Sequence, residues 1–245
     1  MKYTRLCAVI TVCMTWACHA QQQGISLIQK IDAFRMPYNE VLISTQITAY
    51  KNGKVDDTAL FDAYITGNDK SLVVQKQGKN RDMKILYNKE KMWVQLPSAH
   101  KPIRITPIQR LIGQASNGDV ARASYGTDYN AVEVRKEVYN KVQCRVINLT
   151  ARKKSATYHK ILLWVRASDY RPVKAEFYLV SGKHFKTAIY ESYTKIEGRS
   201  VVQRMCVLDV VRKNRSTTFE YVKIEKKSIP KKYYNKNYLV HIRGL

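Results

Sequence analysis

PIQRLIGQASNGDVARASYGTDY, residues 107–129, is the one long stretch of this chain that does not alternate like a β-strand, and it lies mid-chain. The segments on either side read as period-2 strands rich in Val, Ile, Leu, Tyr and Thr, divided by short turns. An interruption of this length inside an all-β domain is uncommon, and such segments often serve as lids or binding loops. Its centre is small and polar, with Gly113, Ala115, Ser116, Asn117 and Gly118. Apolar patches flank that centre at Ile108, Leu111 and Ile112 and at Val120, Ala121 and Ala123. The pattern predicts two short helices joined by a mobile turn, a cover for the open face of a sheet. Asp119 falls at the expected start of the second helix, where N-capping accounts for it.

Outward from this segment, strands are expected over 41–50, 59–65, 71–75, 83–87 and 91–96 on the N-terminal side. On the C-terminal side they are expected over 142–150, 157–165, 173–179, 184–193, 200–210 and 217–224. Asn52-Gly53 and Ser181-Gly182 read as hairpin turns. Residues 25–35 place Leu27, Ile28, Ile31 and Phe34 at the spacing of a short amphipathic helix, ended by Pro37. The tail over 230–245, with Tyr233, Tyr234, Tyr238 and Leu239, reads as an ordered strap. In Leu162-Leu163-Trp164-Val165 and Ala175-Glu176-Phe177-Tyr178-Leu179 both parities are apolar or aromatic, so these strands are expected to be covered on both faces, the second by a helix, a lid or a ligand. No linker or repeat divides the chain, and 21–245 reads as one all-β-dominated domain with a few helices.

The first twenty residues have the anatomy of a secretory signal. Lys2 and Arg5 form the basic start, 6–16 the apolar core, and Ala17-Cys18-His19-Ala20 the cleavage site. Cleavage before Cys18 is the alternative, and would leave a membrane-anchored lipoprotein. The formal charge is +24, and loss of Lys2 and Arg5 with the leader lowers it to +22. Such a chain favours anionic surfaces, and for an exported protein that means membrane lipid rather than nucleic acid. Cys144 and Cys206 fall in strand-like stretches. They either pair or stay reduced, since bridging depends on opposed Cβ atoms.

No catalytic constellation emerges. Gly113, Ser116 and Gly118 form Gly-x-x-Ser-x-Gly, one residue too long for a nucleophile elbow. His100, His159, His184 and His241 are scattered singly, without zinc spacing, and the cysteines form no CxxC. No metal or cofactor is assigned, and a lipid hydrolase is the remote alternative. Trp93, Trp164, Phe177 and Phe185, with Leu86, Leu96, Leu163 and Leu179, are the candidates for lining an apolar cavity. For any one of them ordinary core packing is equally open. Arg104 and Arg110 flank the interrupting segment and are candidates to hold a lid carbonyl or a lipid phosphate.

Five pieces in a fixed order carry a family resemblance: ITGNDKSLVV (65–74), KILYNKEKMWVQLPSAHKPIRITP (84–107), QRLIGQASNGDVARASYGTDY (109–129), LLWVRASDYRPVKAEFY (162–178) and SGKHFKTAIYESYTKIEG (181–198). Together they resemble the outer-membrane lipoprotein-sorting protein family, within the LolA-like superfamily of periplasmic lipid carriers. The resemblance implies a strongly bent, unclosed antiparallel β-barrel with an N-terminal helix. A helical lid, carrying Leu111, Ile112, Gly113, Gly118, Asp119 and Val120, would enclose the cavity. It further implies a non-enzymatic periplasmic carrier that moves the acyl chains of a lipoprotein or a membrane lipid toward the outer membrane. An inner-membrane lipid exporter is the implied partner. The alternative, from another class, is an exported basic envelope protein that binds anionic surfaces without a cavity.

Overall fold

A computed structural model of the chain describes residues 27–122, 124–126 and 128–245. The leader expected over 1–20, with Cys18, lies outside the described residues. Among the described residues no helix is long and apolar enough to cross a membrane.

Two runs of antiparallel hairpins build the sheet. The first holds β1 (Glu40–Lys51), β2 (Lys54–Thr66), β3 (Lys70–Gln77), β4 (Lys84–Asn88), β5 (Lys91–Gln95) and β6 (Ile103–Ile105). The second holds β9 (Tyr129–Tyr139), β10 (Val142–Ala151), β11 (Lys160–Arg166), β12 (Pro172–Tyr178), β13 (His184–Ile196), β14 (Arg199–Asp209) and β15 (Arg215–Lys226). Pairing of β1 with β15 fuses the runs into one 13-stranded sheet in which β6 and β9 are the two edges. The sheet is therefore unclosed, as expected. Its hairpins follow turn chemistry: at the β1–β2 corner Asn52 and Gly53 both take positive φ, +54° and +73°, as a tight two-residue turn requires.

One face of the sheet forms a single core. Ile43 and Ile47 of β1, Val73 of β3, Met92 of β5, Leu149 of β10, Leu163 of β11 and Phe219 of β15 all belong to it. Strands near both edges reach the same cluster only if the sheet curls round it. Lys153, after β10, meets Glu90, before β5, at 3.5 Å across the gap. Helix α1 (27–32) lays Ile28 and Ile31 into the same core. Full burial of each such side chain contributes roughly 1.5–3 kcal/mol.

The opposite face is covered in two places. Leu42, Leu72 and Leu86 pack beneath the C-terminal strap through Tyr234, Leu239 and Ile242. The strap consists of two short 3-10 turns, Lys231–Tyr234 and Lys236–His241. Further along, Trp164 packs with Cys144 and Val146. The outer face of β11, for which a helix, a lid or a ligand was expected, meets side chains of the neighbouring strands. Cations stack on Trp164: Lys174 Nζ lies 4.3 Å and Arg135 5.6 Å from the ring centroid, and its Nε1 donates to Glu137.

Two strands of this sheet went unread in the sequence, β9 and β6. Both are edges. On β9 the residues Glu133, Arg135, Lys136 and Glu137 occupy both parities, because an edge strand is wet on both faces and loses its alternation. The cysteines are free: Cys144 is on β10 and Cys206 on β14, with β11, β12 and β13 between them. Burial pushes both thiols above their ordinary pKa.

Candidate functional site

The interrupting segment lies across the core face, but its build differs from the two helices expected. Its first half is a β-hairpin, β7 (Arg110–Ile112) and β8 (Ala115–Ser116), and only the second half is helical, α2 (Asn117–Ala121). Leu111 and Ile112 are therefore strand residues. The turn also lies elsewhere than expected. Ala115, Ser116, Asn117 and Gly118 are all buried, and the actual turn is at Gly113, where φ is +53°. Both glycines allow close approach to the sheet and its loops. A Cβ on Gly113 would overlap Thr217 and Ala49, and one on Gly118 would overlap Thr157. Asp119 sits at the third helical position, where its Oδ2 accepts from the Ser116 backbone N at 2.7 Å.

Polar contacts fasten this cover at several points. Gln114 N donates to Thr217 Oγ1 of β15 at 2.8 Å, and Ser71 Oγ of β3 donates to Ala121 O at 2.6 Å. Asp119 gathers more: Tyr158 OH donates to Oδ1 at 2.7 Å and Lys186 Nζ of β13 to Oδ2 at 2.5 Å. Lys186, fully buried, also donates to Gln114 O at 2.9 Å. Burial pushes its ammonium below the ordinary lysine pKa, and Asp119 offsets part of that. Past α2, Arg122 pairs with Asp128 and donates to Ser155 O. The exit loop is held by Asp32 of α1, which accepts from Ser124 Oγ at 2.6 Å and from the backbone N of Tyr125 and Gly126, each at 2.9 Å.

Between cover and sheet lies a nearly filled interior. Two small cavities of about 30 and 20 Å³ remain, roughly one water apiece. Their walls mix apolar side chains (Phe177, Met205, Val207, Phe219) with tyrosines (Tyr125, Tyr158, Tyr190, Tyr221), and Arg35 borders both. Larger clefts, about 530 and 550 Å³, flank the strap on the outer face. These are open to solvent and bordered by charged side chains such as Lys84, Arg243, Lys70 and Lys236. The covered interior is the better candidate site, because its largely apolar wall lies beneath the cover, on the concave core face, whereas the clefts beside the strap are open to solvent.

The eight residues singled out for a cavity do not share one. Leu163 and Phe177 belong to the covered core, with Leu96 and Phe185 packed at its margin. Leu86 and Trp93 lie on the opposite face under the strap, and Trp164 lies on that face over β10. Leu179 is half-buried just beyond β12. The reason is period 2: neighbours in sequence, such as Leu163 and Trp164, point to opposite faces. Arg104 and Arg110 are exposed, and Arg104 stacks over the Trp93 ring at 5.1 Å. The cations that meet the interior are instead Arg35, Arg122 and Lys186, none of which was singled out. Lys186 was legible in principle, since it shares strand parity with the inward Ala188 and Tyr190.

Comparison with known proteins adds the following. A family model described only as an uncharacterized protein family matches residues 67–241. No curated protein matches the sequence. The chain is similar to a solved LolA superfamily protein from Nitrosomonas europaea, at 33% identity and TM-score 0.81, over 88% of this chain and 98% of that one. A DUF1329 family protein from Desulfovibrio piger shares the fold at 19% identity and TM-score 0.73, over 89% and 98% of the two chains. So does an outer membrane lipoprotein-sorting protein domain from Vibrio parahaemolyticus, at 17% identity and TM-score 0.73, over 90% and 99%.

Proposed function

We propose that this chain, which belongs to the LolA superfamily, is a non-enzymatic carrier. It takes acyl chains of a lipid or lipoprotein under the cover formed by residues 107–129. The observation that carries this reading is the fastened cover itself. An unclosed sheet presents one continuous apolar face, and the segment over it is held by side-chain hydrogen bonds, the Lys186–Asp119 ion pair and the burial of Ile112, Ala115, Val120 and Ala121 in the same core. Each hydrogen bond contributes only about 0.5–1.5 kcal/mol net, and a buried ion pair often little more. Lifting the cover also exposes Ile112, Val120 and Ala121, and an acyl chain entering beneath it can replace those apolar contacts.

Energetics favours an interior that closes on itself when empty. Burying a methylene contributes about 0.8 kcal/mol, so a 16-carbon chain wholly enclosed would gain about 12 kcal/mol. A carrier that bound this tightly would not release its cargo. Here the empty interior has collapsed to about 30 and 20 Å³, whereas ligand pockets commonly hold about 300–1,000 Å³. Loading must therefore break the collapsed contacts, which offsets the gain on burial. We place the protein in the periplasm, exported by the signal over 1–20, with transfer toward the outer membrane and an inner-membrane lipid exporter as donor. Its basic surface, +24 over the whole chain, suits contact with anionic membranes.

Hydrolysis is the weaker reading. Ser116 is the N-cap of α2, and its Oγ has Tyr158 OH as partner at 3.3 Å. Among the described residues no cluster of His, Cys, Asp or Glu is arranged to hold a metal ion. Mass spectrometry of lipid extracted from the purified protein, with displacement of a fluorescent fatty-acid probe, tests the carrier reading. Stoichiometric lipid and saturable probe binding are expected. A protein that copurifies with no lipid and binds no probe is not a carrier.

A further inference from the structure

Arg35, directly after α1, places its guanidinium inside the molecule. It borders both interior cavities, beside Tyr190, Met205 and Val207 in one and Phe219 and Tyr221 in the other. Its Nη1 is buried with no hydrogen-bond partner. No carboxylate pairs with it among the described residues. Asp32, whose charge it feels, has its oxygens taken by Ser124, Tyr125 and Gly126. What covers the cation is the Tyr125 ring, 4.3 Å from the guanidinium carbon, and Tyr125 belongs to the exit loop of the cover. A buried cation without a counter-ion is costly and a ring face offsets only part of that cost. The guanidinium stays protonated nonetheless, because an arginine keeps its charge even when buried.

We propose that Arg35 is the headgroup site of the carrier, receiving the carboxylate or phosphate of an anionic amphiphile whose acyl chain lies along Phe177, Met205 and Val207. Lifting the exit loop withdraws the Tyr125 ring and exposes a planar fork of donors, which matches an oxyanion in two-point contact. The same motion opens the apolar wall beside it. Headgroup and chain would therefore enter through one gap, and the ring would close over Arg35 again after release. This inference rests on the carrier reading and specifies its cargo: an amphiphile with an anionic head, rather than a neutral one.

The test compares ligands of equal chain length. The wild-type protein is loaded with the uncharged probe N-phenyl-1-naphthylamine, which dodecanoate, dodecyl phosphate and dodecanol then displace, with inorganic phosphate as the chainless arm. The anionic amphiphiles should displace the probe at concentrations at least about tenfold lower than dodecanol, as a charge-assisted buried contact implies. Raised salt should leave that ratio largely intact, because buried pairs are poorly screened. In Arg35→Gln the ratio should fall toward one, and Arg35→Lys should recover part of it. Equal displacement by acid and alcohol in the wild type would overturn the headgroup site and leave the carrier standing. A ratio that vanishes with salt would assign the preference to surface lysines, and one that persists in Arg35→Gln would assign it elsewhere. Displacement by inorganic phosphate alone would make the site a free-anion pocket. If the probe does not bind at all, the carrier reading itself fails. Should Arg35→Gln not fold, the acid-to-alcohol ratio and its salt response in the wild type decide the matter.

Discussion

Lys186 and Asp119 show how a polar pair inside a β-sheet protein can fasten the segment that covers its core. Their pair joins β13 to the cover, and removal of one partner strands the other in a dry site. Lys186→Met should therefore destabilise the protein by about 3–5 kcal/mol in urea unfolding, as breaking a buried pair does. Adding Asp119→Asn should restore part of that, with a coupling energy measurable by the double-mutant cycle. Gly118→Ala is expected to cost stability too, through overlap with Thr157 rather than through lost flexibility. Tyr129 supplies a pH signature. Burial above all pushes its phenol up to about 12, while the Tyr158 backbone N–H and the Arg122 charge pull it down. A folded pKa above the unfolded value of 10 means stability present below pH 10 and lost as pH rises toward 12. An ultraviolet titration should show tyrosine ionisation delayed past pH 10 in the folded state, with unfolding beginning in that window. If every tyrosine ionises freely near pH 10 while the fold persists, Tyr129 is not enclosed as described.

At the scale of the element, the cover over 107–129 is set apart by what holds it. Strands of the sheet share continuous backbone ladders, whereas β7 pairs only with β8, and α2 is a single short turn resting on side-chain contacts. Local opening should therefore be cheaper there than in the sheet. Hydrogen exchange is expected to be faster in the cover than in β1, β2 and β15, and bound lipid should slow it. Leu111→Asp or Ile112→Asp places a charge against the core face and should reduce retention of a fluorescent fatty acid several-fold. The far-ultraviolet circular dichroism should remain that of an intact β-protein. Loss of the β signal together with binding would mean that the segment is part of the folding core rather than a lid. Where this element lies was readable from the break in period-2 alternation. Its conformation was not, because Ile108, Leu111 and Ile112 fit a helical stripe and a short hairpin equally well, and only the approach of Gly113 to Thr217 selects the hairpin.

The whole molecule couples a basic exterior to a sealed interior. With +24 on the chain, binding to anionic vesicles should far exceed binding to neutral ones and should weaken steeply with salt, since exposed charges act only over a Debye length of about 10 Å at 0.1 M. Vesicle sedimentation across a salt series checks this, and equal binding to zwitterionic vesicles would reduce the charge to a solubility feature. The amino-acid sequence by itself determined the all-β class, the positions of most strands, the amphipathic helix through Ile28 and Ile31, and the place of the cover. All of these follow from local periodicity and turn chemistry, which each residue carries with it. The edge strands β6 and β9, the partition of Leu163 and Trp164 to opposite faces, and the identity of the interior cations were decided only in three dimensions. An edge is an edge because nothing pairs with it, and Arg35 is a buried cation because α1, the exit loop and β15 converge on it from distant parts of the chain. Pairing order and long-range enclosure have no local signature, so they are settled when the sheet curls and not before.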